Sequence, residues 1–165
     1  MYQRRTPNAK KDPVRRWQLP DRVFFACGAC HILAYAFLDA YPAFPAEARW
    51  LKPRAGYTGN HIVVVGEGIV FDYHGYSSWT SYWHHTRRKA RRRWAGWDAD
   101  FVALPKEVLI SEARSREFDG LWLRAPGHFL YDAMPRAKTY LSRFAPPEDY
   151  LRCQRARGQL LTSGG

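Results

Sequence analysis

The sequence predicts a single α+β domain in which one helix packs against a small antiparallel sheet. The chain has 165 residues, which suits one domain with a hydrophobic core. Apolar side chains recur at helical spacing between residues 29 and 40, and two β-branched runs flank a glycine-rich turn at residues 66–68. We assign residues 21–145 to this domain, residues 1–20 to a basic extended arm and residues 146–165 to a basic C-terminal tail.

The predicted helix carries a cysteine in its first turn. Cys30, Leu33 and Phe37 recur on one face of this helix, Gly28 provides a turn before it, and Pro42 ends it. The first turn of a helix has backbone N–H groups without intrahelical acceptors and the positive end of the helix dipole. We therefore expect the pKa of the Cys30 thiol to be lowered and its nucleophilicity to be raised.

The predicted hairpin brings a histidine and an aspartate together. A two-residue type II′ turn at Gly66-Glu67 places His61 directly opposite Asp72 on one face. A three-residue loop would instead place Asp72 opposite Ile62. Because a cysteine nucleophile needs a base, and the base needs an acceptor that orients it, Cys30, His61 and Asp72 are the candidate catalytic residues.

These segments resemble the papain-like cysteine hydrolase superfamily, including its transglutaminase-core and NlpC/P60-like branches. Cys27-Gly28-Ala29-Cys30 matches the C-G-[SA]-C surround of the papain nucleophile. Asn60-His61-Ile62-Val63 resembles the histidine strand of that superfamily, and Phe71-Asp72 matches the third-member position of transglutaminase-core proteins. The resemblance covers about residues 21–76.

The resemblance implies a papain-like core and a thiol-dependent hydrolase or acyl transferase, whether protease, amidase, deamidase or transglutaminase-like. In that chemistry Cys30 is the nucleophile, His61 is the general base and later the general acid, and Asp72 holds the imidazole. The mechanism requires no metal and no organic cofactor. The substrate stays unknown, and a basic cleft would favour an acidic one.

The chain departs from the papain pattern in three respects. His61 follows Cys30 by 31 positions, against roughly 130–150 in papains. Residue 31 is His where papains carry an aromatic residue, and Phe24 stands where papains have an oxyanion-binding Gln. The oxyanion donors expected here are the Cys30 backbone N–H and, more weakly, the side chain of Gln18.

The segment that follows Asp72 is expected to border the site. His74 lies two residues further on and therefore on the same face if the strand continues. Tyr73, Tyr76 and Trp79 are expected to pack there or to line the cleft, so these four residues are the candidate substrate-binding residues. His84 and His85 are expected at the surface.

Two segments carry almost all of the excess positive charge. The formal net charge is +11, from 26 basic and 15 acidic residues. Residues 1–17 and 84–93 together hold twelve basic residues and one acidic residue, which leaves the rest of the chain neutral. Such clusters suit nucleic acid or another polyanion, although a solvated arm and a solvated face would have the same composition. The candidate polyanion-binding residues are Arg87, Arg88, Lys89, Arg91, Arg92 and Arg93.

Several other functions are consistent with the same residues. A non-catalytic basic binding module is the principal alternative. Cys27-x-x-Cys30-His31 also spells the c-type haem attachment motif, with Met134 as a candidate distal ligand. A zinc site lacks a second ligand pair, and a CxxC redox pair lacks the expected βαβ surroundings.

The sequence shows no signal for export or membrane insertion. The basic N-terminal segment is not followed by an apolar region, so we expect a cytoplasmic protein, with delivery to another compartment left open. The longest uncharged apolar stretch, Ala29–Leu38, is too short to span a bilayer.

Overall fold

A five-stranded antiparallel sheet forms the centre of the fold and confirms the α+β class. The computed structural model describes residue 9 and residues 11–162. The spatial order of the strands is β4-β3-β2-β1-β5, and every neighbouring pair is antiparallel. The strands are β1 (Ala46–Pro53), β2 (His61–Gly66), β3 (Ile69–Asp72), β4 (Gly75–Ser78) and β5 (Ala99–Leu104).

Seven α-helices lie in the described part of the chain. No helix in that part combines the length and apolarity needed to cross a bilayer. Two 3₁₀ helices, Lys106–Ile110 and Pro126–His128, complete the helical elements of the same part. The α-helices are α1 (Pro13–Trp17), α2 (Asp21–Ala26), α3 (Cys30–Ala40), α4 (Trp79–Arg91), α5 (Glu112–Ser115), α6 (Ala133–Leu141) and α7 (Pro147–Thr162).

The main hydrophobic core lies between α3 and one face of the sheet. Ile62, Val64 and Phe71 point into this core from β2 and β3. Phe37 on α3 is only 1 % exposed and packs against the ring of Phe71 with 4.7 Å between centroids. Helix α6 and the 3₁₀ helix Lys106–Ile110 close the core on the far side of α3. This packing holds the N-terminus of α3 beside the sheet.

A second, smaller core covers the opposite face of the sheet. Leu51, Val63 and Val70 pack there beneath Tyr82 of α4. Because alternate residues of β2 enter the two cores, three consecutive residues of this strand are buried. Helix α4 therefore lies across the sheet from α3.

The β2–β3 hairpin has a different turn from the one predicted. Gly66 pairs with Ile69, so the turn residues are Glu67 and Gly68 rather than Gly66-Glu67. Glu67 and Gly68 have positive φ angles of 49° and 75°, which is the pattern of a type I′ turn. The register therefore shifts by two residues, and Asp72 comes level with Val63 instead of His61. A shift of two keeps every side chain on its original face.

Other local predictions were wrong because packing overrides composition. The arm predicted as extended contains α1, in which Asp12 caps the helix and Arg16 is buried. Arg4, Arg5 and Lys10 of that arm lie outside the described residues. The basic run at residues 84–93 lies mostly on α4, and the predicted tail contains α7. Residues 42–60, which three prolines and two glycines interrupt, contain β1, the central partner of β2 and β5.

Candidate active site

Cys30 is the first residue of α3, and a tight turn at Gly28 precedes it. Gly28 has a φ of +97°, and a Cβ at this position would lie 2.9 Å from Nη2 of Arg16. The same Arg16 nitrogen donates to the carbonyl of Gly28 at 2.9 Å and to that of Cys27 at 3.4 Å. The buried guanidinium thus holds the turn that precedes the thiol, and only glycine fits it.

The Cys30 thiol is half-buried and lines a cavity of about 290 Å³. His61 and His31 line the same cavity. Burial by itself would raise the pKa of the thiol, but the charge of His61 and the polar influence of both histidines outweigh burial. The pKa of Cys30 is therefore lowered well below that of an ordinary cysteine, as expected for a nucleophilic thiol.

His61 links the thiol to a buried carboxylate. Its Nε2 lies 3.2 Å from Oδ2 of Asp72, whose side chain is only 5 % exposed. Burial opposes the charge of the imidazole, but Cys30 and the hydrogen bond to Asp72 raise the pKa of His61 to about 9. Burial likewise opposes the charge of Asp72, and hydrogen bonds from His61 and His74 lower its pKa. The structure thus brings all three candidate catalytic residues together.

His74 holds the second oxygen of the same carboxylate. Its backbone N–H donates to Oδ1 of Asp72 at 2.7 Å, and its ring Nδ1 lies 3.4 Å from that oxygen. Both oxygens of Asp72 are therefore engaged, one by each histidine. His74 was predicted to bind substrate, and the structure places it on Asp72 and at the edge of a larger cavity of about 1130 Å³.

The three aromatic candidates for substrate binding are found in two different environments. Tyr73 lines the larger cavity and packs edge-on against His61, with 5.3 Å between ring centroids. Tyr76 donates its hydroxyl to the carbonyl of Ala145 and stacks on Tyr150 of α7. Trp79 packs against Phe101 of β5. Tyr76 and Trp79 therefore support the sheet edges and belong to the lining of neither cavity.

Gln18, the predicted side-chain oxyanion donor, lies outside both cavities, whereas Asn60 lines both. Gln18 ends α1 and is exposed. The Oδ1 atom of Asn60 accepts the indole N–H of Trp50 at 3.1 Å. Because an indole nitrogen only donates, the amide oxygen must face Trp50, and the amide NH₂ group is left for another acceptor. The only sequence signal for Asn60 was its place directly before His61.

His31 contacts the thiol but does not support haem attachment. Its Nε2 lies 2.9 Å from the carbonyl oxygen of Arg124, and its side chain contributes to the lowered pKa of Cys30. Cys27 and His31 are each only 2 % exposed. The CxxCH residues therefore share no accessible surface that a porphyrin could cover, and Met134 lies on α6 beside the main core. Among the described residues, no group of His, Cys, Asp or Glu side chains has the arrangement of a metal site.

The basic run divides into sets with different neighbours. Lys89, Arg92 and Arg93 line the larger cavity together with His85, which is exposed as predicted. Two others support the segment after α4: Arg87 pairs with Asp98, and Nε of Arg91 donates to the carbonyl of Trp97. Arg88 is exposed and belongs to the lining of neither cavity.

Comparison of the chain with models of protein families, with curated proteins and with solved structures found no match. The chemical grounds for a function are therefore the thiol, imidazole and carboxylate at the end of α3 and the two cavities that meet at His61.

Proposed function

We propose that this protein is a thiol-dependent hydrolase or acyl transferase that acts on an amide, ester or thioester carbonyl. One observation carries the proposal: a cysteine at a helix N-terminus lines the same cavity as a histidine that is hydrogen-bonded to a buried aspartate. The pKa of Cys30 is lowered and the pKa of His61 is raised, because each group stabilises the charged form of the other. These shifts favour a thiolate–imidazolium pair.

In the first step, the Cys30 thiolate attacks the carbonyl carbon of the substrate. The new C–S bond forms as the carbonyl π electrons move to oxygen, which gives a tetrahedral oxyanion. The intermediate collapses when the bond to the leaving group breaks and the imidazolium of His61 supplies the proton that this group needs. The products of this half-reaction are an acyl-Cys30 thioester and a neutral imidazole.

Two donors suit the oxyanion. The backbone N–H of Cys30 lies in the first turn of α3, where amides have no intrahelical acceptor. The Asn60 amide lines the same cavity as the thiol, and its NH₂ group is free of the Trp50 contact. Asn60 thus supplies the side-chain donor for which the sequence had suggested Gln18.

In the second step, water or an amine attacks the thioester. Neutral His61 accepts the proton of this nucleophile, the C–S bond breaks, and the thiolate–imidazolium pair is restored. Water as the nucleophile gives hydrolysis, and an amine gives acyl transfer. Asp72 keeps the imidazole oriented and stabilises its positive charge in both half-reactions.

We also propose a papain-like core for residues 21–76. The chain order Cys30, His61, Asp72 is that of the superfamily, and the cysteine-bearing α3 packs against the strands that carry the other two residues. The separation of Cys30 and His61 along the chain stays short for a papain, because the turn at residues 42–45 leads directly from α3 into β1.

The test is formation of an acyl-enzyme on p-nitrophenyl acetate. The full chain should release p-nitrophenol with a burst, and mass spectrometry of the quenched protein should locate the acetyl group on Cys30. Cys30→Ser and His61→Ala should lose the burst while their circular dichroism spectra stay unchanged. Cys153→Ser is the matched control, because Cys153 is a free exposed thiol on α7, and it should retain the burst. Full activity in His61→Ala, or acetylation only at Cys153, would contradict the mechanism.

A further inference from the structure

The larger cavity is lined by two of the proposed catalytic residues, His61 and Asp72. Its volume is about 1130 Å³, slightly above the ~300–1,000 Å³ typical of small-molecule sites. It shares Asn60 and His61 with the smaller cavity that holds Cys30. His61, the proposed general base, therefore forms part of the lining of both cavities.

Positive charge dominates the wall of this cavity. The last turn of α4 and the residues after it contribute Lys89, Arg92 and Arg93. Asp72 is the one acidic residue among the described residues that line the cavity, and two histidines engage its oxygens. A concave surface lined by one sign of charge concentrates its field and attracts ligands of the opposite sign.

Only some of the basic residues on and after α4 line this cavity. Arg87 is paired with Asp98, and Arg91 is bonded to the Trp97 carbonyl, so both support the segment that follows the helix. The cations that line the cavity share a concave site with His61 and Asp72, whereas a nucleic-acid surface would use the whole exposed row. Hydroxyls of Ser77, Ser81 and Thr86 also line the cavity and can accept or donate hydrogen bonds.

We propose that this cavity binds carboxylate side chains of an acidic peptide substrate next to the carbonyl that Cys30 attacks. The assignment rests on the proposed function for the position of that carbonyl. A peptide combines an acyl carbon, which the thiol requires, with carboxylates, which the cationic wall favours. Nucleic acid has the charge but lacks the acyl carbon.

The experiment uses the full chain carrying Cys30→Ala, so that binding is measured without turnover. The probes are fluorescein-labelled hexaglutamate and hexaglutamine, followed by fluorescence anisotropy at low and high NaCl. Hexaglutamate should bind, hexaglutamine should not, and added salt should weaken the complex. Absence of hexaglutamate binding, or equal binding of the neutral peptide, would overturn the proposal.

Two charge reversals of equal size locate the site. Arg92→Glu places a negative charge in the cavity lining, and Arg88→Glu makes the same change on α4 outside it. Losing one charge contact of about 1 kcal/mol weakens binding about fivefold, so Arg92→Glu should raise the Kd at least about fivefold and Arg88→Glu less than about twofold. Equal effects would mean a diffuse surface. Tighter binding of a labelled oligothymidylate of equal charge, weakened alike by both variants, would assign the surface to nucleic acid.

A protection assay separates this inference from the catalytic proposal. Bound hexaglutamate should slow carbamidomethylation of Cys30 by iodoacetamide in the unsubstituted protein, and Arg92→Glu should reduce this protection. Binding of hexaglutamate to a protein whose Cys30 is inert would contradict the catalytic proposal and leave an acidic-peptide site. A reactive Cys30 that hexaglutamate fails to protect would overturn the substrate assignment alone.

Discussion

Asp72 meets His61 diagonally across two neighbouring strands, with 3.2 Å between Oδ2 of the carboxylate and Nε2 of the imidazole. The hairpin register brings Asp72 level with Val63, so the two side chains are offset by two residues along the sheet. Diagonal neighbours on one face of an antiparallel pair are within reach of long side chains. The offset leaves space beside the aspartate for His74, which bonds the other carboxylate oxygen.

Replacing Asp72 by Asn should reduce activity without unfolding the chain. The amide keeps the shape of the carboxylate but loses its charge, so the imidazolium of His61 becomes less stable and the pKa of His61 falls. We expect kcat/KM for p-nitrophenyl acetate to drop by about 10²- to 10⁴-fold. Asp39→Asn, at an exposed ion pair with Lys106, is the matched control and should be neutral. Undiminished activity of Asp72→Asn would exclude a role for the carboxylate.

The thiol should stay reactive at acidic pH. A lowered pKa means that Cys30 remains a thiolate at pH values where free cysteine, about 0.3 % ionised at pH 6, reacts slowly. Iodoacetamide labelling of the Cys153→Ser protein, followed by peptide mass spectrometry, should show rapid modification of Cys30 at pH 6. Labelling of Cys30 no faster than free cysteine at that pH would contradict the thiolate assignment.

The rate of acyl transfer should fall as the pH rises through the pKa of His61. That pKa is raised to about 9, so the imidazolium is fully present at neutral pH and is lost as the pH rises through about 9. A poor leaving group such as an aniline then has no proton donor, so anilide substrates should turn over more slowly. The measurement is the pH profile of kcat/KM for an anilide substrate. A decline of kcat/KM already at the pKa of an ordinary histidine would contradict the raised pKa of His61.

Removing the His74 ring should have a moderate effect on catalysis. His74→Ala deletes the ring contact with Asp72, but the backbone N–H of residue 74 still donates to the same oxygen. One lost hydrogen bond corresponds to about 2- to 10-fold in kcat. The effect should appear in kcat, with KM for p-nitrophenyl acetate unchanged. His84→Ala, at an exposed histidine of α4, is the control, and a change confined to KM would return His74 to the role of substrate binder.

The two candidate oxyanion donors can be separated by one substitution each. Asn60→Ala should lower kcat by about 10²- to 10³-fold, because a donor aimed at the developing oxyanion acts mainly in the transition state. Gln18→Ala should leave kcat unchanged, since the Gln18 side chain is exposed outside both cavities. The reverse pattern would show that the oxyanion lies on the α1 side of the thiol.

Phe37 should be a major contributor to stability. The side chain is 1 % exposed and contacts Phe71, Phe44 and Tyr41. Phe37→Ala should cost about 3–5 kcal/mol of unfolding free energy by urea titration, through lost burial and a residual cavity. Leu130→Ala, at a leucine that is 37 % exposed, should cost about 0.5 kcal/mol or less. A small loss for Phe37→Ala would mean that α3 packs loosely on the sheet.

The helix and the hairpin were predictable because each has a local signature. Helical spacing from Cys30 to Phe37 and β-branched runs around Gly66-Glu67-Gly68 are read within a few residues. The turn type was not predictable, since glycines at both ends of Glu67 permit either a type II′ or a type I′ turn. Strand β1 was missed because three prolines and two glycines break residues 42–60, although pairing with β2 and β5 orders the middle of that segment.

By itself, the sequence determined the class of the fold, the place of Cys30 at a helix start and the shared face of His61 and Asp72. Side-chain alternation sets that shared face, and it survives a register shift of two residues. Only the tertiary structure decided that the thiol reaches His61, that Asn60 faces the site instead of Gln18, and that three of the basic residues line a cavity. Those distances join segments brought together by packing of α3, α4 and the sheet, and neither local periodicity nor composition carries that information.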